Sequence, residues 1–366
     1  MRYRYLSVLF LLMPLSSFSQ EVCRFPSQRQ NFNRVINAKG EFVSLNLKKD
    51  GFPAITFFDL LKKKLVYADA KRDGSWKMKT IADALSSGPS MESILLSADE
   101  PVILYTNGDG VYYFKNDITL LHSEEGSYAM GISGINIEGD LVLSYYFVSQ
   151  DRKRWKVGLR KGENYVLLKE GWVHENIQEE YLIRGVSTAI IVSGDLLHVV
   201  YTNLETGTLD ESVLDRELKI KNTSTIFKLL PVTKKFIAQW IRPFQEGNLF
   251  GITFYNTHPE VSCAGIITNN DGIWSSPEYP LKKGGFGNFS YPILRDGSLY
   301  IFAFDGSYGS VVFGSRFEKY WRFKRLESKG FNGMWLSALF IPPDDFIFAF
   351  ASADKEVIEV HYLSDY

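Results

Sequence analysis

The chain has little of what catalytic and metal-binding proteins are usually built around. Of its 366 residues two are cysteine, Cys23 and Cys263, and five are histidine. The histidines are scattered, so the two thiols have no imidazole cluster with which to complete a four-ligand zinc site. No metal and no cofactor is expected. The thiols can pair in an oxidising compartment, or stand apart as one buried and one N-terminal group. An excess of one charge is also missing: 41 basic residues face 42 acidic ones, interspersed along the chain. That balance argues against a nucleic-acid partner, which would need a basic face. Lys282-Lys283-Gly284-Gly285-Phe286-Gly287 is glycine-rich but lacks the trailing Lys-Ser/Thr of a phosphate loop. After the first twenty residues no long apolar run occurs, so the mature chain is expected to have no membrane span.

Those first twenty residues differ from the rest. Arg2 and Arg4 precede an apolar run from Leu6 to Leu15, and Ser16-Ser17-Phe18-Ser19-Gln20 follow. This is the charged, apolar and small-residue order of a secretory signal peptide. We expect residues 1–20 to be a leader cleaved near Gln20. Residues 21–366 then form one domain, secreted or periplasmic.

What the chain has in quantity is aromatic residues, 15% of the total, along with β-branched ones. Long helical periodicity is absent. Short apolar runs alternate with Gly, Asp, Asn and Lys, the punctuation of strands and turns. Phe42–Leu47, Phe52–Phe58, Leu65–Ala68 and Ser75–Met78 read as four antiparallel strands, which is one propeller blade. The second-strand run recurs near positions 52, 101, 141, 196, 249, 298 and 346, a spacing typical of blades. The fold class is therefore all-β, a single propeller of about seven four-stranded blades. Six is the alternative, if the region from Leu204 to Gly247 is irregular. A tryptophan after a turn recurs in the fourth strands as Trp76, Trp274 and Trp321, placed to pack between blades. The last unit lacks a fourth strand, while Asn31–Asn37 forms an unpartnered strand at the other end. Pairing the two closes the ring and removes an open edge.

Asp50-Gly51-Phe52-Pro53-Ala54-Ile55, then Leu65-Val66-Tyr67-Ala68 and Gly74-Ser75-Trp76, resemble the repeats of sialidase-like β-propellers. The resemblance covers most of the mature chain and implies the fold, which hosts many unrelated functions. The Asp box of sialidases, Ser-x-Asp-x-Gly-x-Thr-Trp, has no copy here. Asn270-Asp271-Gly272-Ile273-Trp274 sets its Asp three residues before the Trp instead of five. Cys23-Arg24-Phe25-Pro26 is similar to the Arg-Ile-Pro phrase of sialidases, but precedes the closing strand.

Candidate site residues come from the first strands and from one long connection. First strands converge on the axis, where Glu92, Tyr128, Arg184, Trp240, Tyr291 and Trp335 carry unusual chemistry. The segment from Gly171 to Leu182 holds Trp172, His174, Glu175, Glu179 and Glu180. It is longer than the other connections, and long loops often carry function. The ligand site expected at the channel mouth comprises Tyr128, Trp172, His174, Glu175, Arg184, Trp240 and Trp335. The aromatics supply contact area and Arg184 a bidentate donor. Without a convergent acid, base and nucleophile, the chain reads as an exported, non-catalytic binding module for a glycan, peptide or envelope protein. The alternative is a glycan-active hydrolase or lyase using Glu175, Glu180 or Asp305.

Overall fold

The computed structural model describes residues 35–83, 91–97, 100–228, 237–258, 261–281, 285–318, 320–326, 332–342 and 345–363. The expected leader and Cys23 lie outside these residues. Cys263 is buried. No helix among the described residues is long and apolar enough to cross a membrane.

The described strands form seven antiparallel blades. Their first strands are Gly40–Leu47, Met91–Ser97, Ser127–Ile137, Thr188–Ser193, Ala238–Glu246, Phe286–Arg295 and Asn332–Ile341. Each neighbours the next, and the seventh neighbours the first, so the ring is closed. Blades 5 and 6 are joined into one sheet by a single parallel pair, Cys263 with Phe286. Blade 7 takes its outer strand from the N-terminal end: Val35–Ile36 pairs with Val357–Leu363, Val35 opposite Glu359 and Ile36 opposite Ile358. The fourth strand of blade 5 is reduced to Ile273–Trp274.

Each interface between neighbouring blades is an apolar layer. Ile55 and Phe57 of blade 1 pack with Ile347 and Val360 of blade 7, whereas Phe58, on the opposite face, packs with Met91 and Ile103 of blade 2. A second strand is thus buried on both faces, as Pro53–Asp59 is along its whole length. That is why these strands read as unbroken apolar runs. The fourth-strand tryptophans face the preceding blade. The Trp274 indole donates to Glu211 Oε2 at 3.1 Å and the Trp321 indole to Glu278 Oε1 at 2.7 Å.

A polar residue closes each second strand, and in six of the seven it is seen to cap the turn that follows. Asp59 accepts the N–H of Lys62, Ser149 those of Lys153 and Arg154, and Asn203 those of Glu205 and Thr206. Asn256, Asp305 and Ser352 do the same for His258, Ser307 and Lys355. Such side chains replace a backbone acceptor where the ladder ends.

Candidate functional site in the central channel

First strands begin on the face that carries the fourth-to-first and second-to-third connections. Near this mouth five of them are interrupted at one equivalent place. The register shifts between Glu41 and Ser44, Met130 and Ser133, Gln239 and Arg242, Asn288 and Tyr291, and Met334 and Ser337. Each interruption is a bulge holding one residue at positive φ: Phe42 (53°), Gly131 (62°), Trp240 (53°), Phe289 (55°) and Trp335 (53°). Glycine adopts this conformation freely; bulky aromatics do so only under strain, about 1–3 kcal/mol each.

The strain aims four rings at one another. Trp335 lies 4.0 Å from Phe42, 4.6 Å from Phe289 and 5.1 Å from Trp240, centroid to centroid. Trp240 also meets Phe289 at 4.8 Å and Phe42 at 6.5 Å. Phe42 belongs to blade 1 and Trp240 to blade 5, so their contact crosses the axis. All four are half-buried. On blades 3 and 4 the same level carries glycine. A Cβ on Gly131 would come within 2.5 Å of the Val186 carbonyl oxygen, and one on Gly185 within 2.5 Å of the Gln239 side chain. The carbonyl of Gly185 accepts the Trp240 N–H at 2.8 Å. An aromatic wall from blades 5, 6, 7 and 1 therefore faces a glycine-lined side.

One residue nearer the mouth stand Glu41 and Arg184, from blades 1 and 4. Burial pushes the Glu41 carboxyl pKa up, opposed by the nearby Arg184 and Lys39 cations. Two residues farther in, past the aromatics, lies a polar layer. Glu92 accepts the Gly134 N–H at 2.8 Å, and its other oxygen is 3.8 Å from Arg242 Nη1 across the ring. Arg242 lies over the Tyr291 ring, 6.0 Å from its centroid. Burial raises the pKa of both Glu92 and Tyr291, with Arg242 opposing in each case.

Of the residues expected from sequence, the structure brings Trp240 and Trp335 into contact and sets Arg184 at the mouth. Tyr128 is exposed on the same stretch of blade 3, three residues before Gly131. The rest stand apart from this group. Trp172 ends the outermost strand of blade 3, Asn164–Trp172, and stacks with Arg154 at 4.5 Å. It lines a peripheral recess of about 600 Å³ with Asp151 and Lys153. His174 opens a short 3₁₀ turn, Glu175–Ile177, and accepts the Asn176 N–H at 3.2 Å. Glu175 is exposed on that turn, and Glu180 begins the four-residue helix Glu180–Ile183. Asp305 is buried and engaged in its turn.

Sequence reasoning missed Glu41, Phe42, Phe289 and Arg242. A signal for them exists. Glu41-Phe42-Val43-Ser44, Gln239-Trp240-Ile241-Arg242, Asn288-Phe289-Ser290-Tyr291 and Met334-Trp335-Leu336-Ser337 share one phrase, polar or Met, aromatic, any residue, then polar. Aligning the blades would have exposed it.

No family model matches the chain, and no curated protein matches it in sequence. Solved structures do. Puromycin hydrolase is similar with a TM-score of 0.51 at 8% identity, over 86% of this chain and 50% of that one. A lectin variant from Aleuria aurantia in complex with Fucα1-6GlcNAc gives 0.48 at 10% identity, over 80% and 96%. That lectin is described as a six-bladed β-propeller. A Hadza microbial sialidase gives 0.46 at 8% identity, over 88% and 66%. At these identities the likeness is one of fold.

Proposed function

We propose that this propeller is an exported, non-catalytic binding module that takes a glycan at the channel mouth, against the wall of Phe42, Trp240, Phe289 and Trp335. The observation that carries the reading is the positive φ shared by all four aromatics. A fold has no need of repeated strain to fill its axis, and strain of this kind gathers where a ligand is held. Aromatic rings offer sugar C–H faces a rigid apolar surface, and the Trp N–H adds a donor at its edge. Glu41 and Arg184 lie beside the wall as acceptor and donor for hydroxyls. Glycoside hydrolysis needs two carboxyl groups about 5–10 Å apart. Here Glu41 faces a cation, Glu92 is held by the Gly134 N–H beside Arg242, and Asp305 is engaged in its turn, which favours binding over hydrolysis.

The test is a glycan array on residues 21–366, followed by calorimetry on any hit with Trp240→Leu and Trp172→Ala. Trp240→Leu should weaken binding about tenfold or more, roughly 1.4 kcal/mol, and Trp172→Ala should leave it unchanged. The opposite pattern would move the site to the rim. Turnover of the bound glycan, abolished by Glu41→Gln, would replace the reading with a hydrolase.

A further inference from the structure

The polar layer beyond the aromatics is not used by the glycan reading, and it has its own composition. Glu92, Arg242, Tyr291, Ser133 and Ser337 come from five different blades. Glu92 is anchored by the Gly134 N–H at 2.8 Å and by the Ser133 hydroxyl. The Tyr291 hydroxyl is within bonding reach of Ser337. Arg242 is the exception. Its nearest charged neighbour is the Glu92 oxygen at 3.8 Å, beyond hydrogen-bond distance, and its guanidinium makes no hydrogen bond among the described residues. The side chain is nevertheless 33% accessible.

We infer that Arg242 is the centre of a second binding site, separated from the mouth by the aromatic layer, for a ligand bearing a single carboxylate. A guanidinium held against one aromatic ring presents a planar fork, which a carboxylate matches with two parallel hydrogen bonds. The charge balance favours a monoanion. One cation is present, and the Glu92 carboxyl 3.8 Å away opposes a second negative charge. A dianion would meet one positive charge and an acid beside it.

The experiment is a titration of the whole protein with sodium acetate, read by the Nε–Hε correlation of Arg242 and assigned by its loss in Arg242→Lys. Sodium chloride and sodium phosphate at matched ionic strength serve as comparators. The expected result is one arginine signal that moves saturably with acetate and at least about tenfold less with phosphate. Trp240→Leu should leave that response intact, which separates this site from the glycan reading. A thermal shift with acetate should appear in wild type and vanish in both Arg242→Lys and Arg242→Gln. Linear response, equal response to chloride, or an unchanged thermal shift in the two variants would overturn the assignment.

Discussion

Trp240 and Trp335 meet edge to face at 5.1 Å and 87°, although blades 5 and 7 are not neighbours in the ring. Contact of this kind is open only to side chains that reach the axis. Both get there from the left-handed region of backbone space, and that origin has a measurable consequence.

In an ordinary strand a glycine is less stable than an alanine by about 0.5–1 kcal/mol. At a φ of 53° an L-residue costs about 1–2 kcal/mol that glycine does not. The usual order should therefore invert at Trp240. Trp240→Gly is expected to be more stable than Trp240→Ala by roughly 1 kcal/mol, measured by urea unfolding. Alanine proving the more stable of the two would show that the bulge relaxes once the ring is removed.

Glu92 provides a pH signature. Burial raises its carboxyl pKa above the ordinary 4.5, against the Arg242 cation, the Gly134 N–H and the Ser133 hydroxyl; Tyr291 also faces it. A group with a raised folded pKa holds more protons folded than unfolded. Its contribution is complete at low pH and is lost as pH climbs from the ordinary value through the raised one. Wild type should lose stability relative to Glu92→Gln as pH rises from about 4 toward neutrality. Urea midpoints for both proteins across that range decide it, and a constant difference would mean that Glu92 titrates normally.

Ring closure rests on Val35 and Ile36. Ile36 is buried in the layer between blades 7 and 1, and that burial alone contributes roughly 2 kcal/mol. Removing residues through Asn37 also bares the edge of Val357–Leu363, a template for pairing with other chains. The truncated protein is expected to melt earlier and to self-associate, followed by thermal denaturation and light scattering. An unchanged, monomeric product would refute the role of this strand.

How much of this could be read in advance varies by strand. The second strands expected near 52, 101, 141, 196, 249, 298 and 346 begin at Pro53, Glu100, Asp140, Leu196, Leu249, Ser298 and Asp345. Burial on both faces makes them continuous apolar runs, and their polar caps mark where they stop. Outer strands such as Ile118–Ser123 are largely exposed and leave a weaker signal. The first strands hid the site for another reason. A bulge inserts one residue and turns every later side chain to the other face, so alternation could not show that Phe42 and Phe289 join Trp240 and Trp335. Glu41 and Arg184 are brought together only by the closure of the ring, which no local pattern records.

That closure also governs when the protein can become complete. Val35 must wait for Glu359, so the first of the described strands is among the last to find its partner. Six blades can form as hairpin-linked units while the chain is still growing, but the seventh gains its third strand only with Val357–Leu363 and its fourth only when Val35–Ile36 returns to pair with it. The joining step spans nearly the whole sequence and carries the entropic penalty of a long loop. Until then the nascent chain is an open arc, with its two future neighbours at opposite ends.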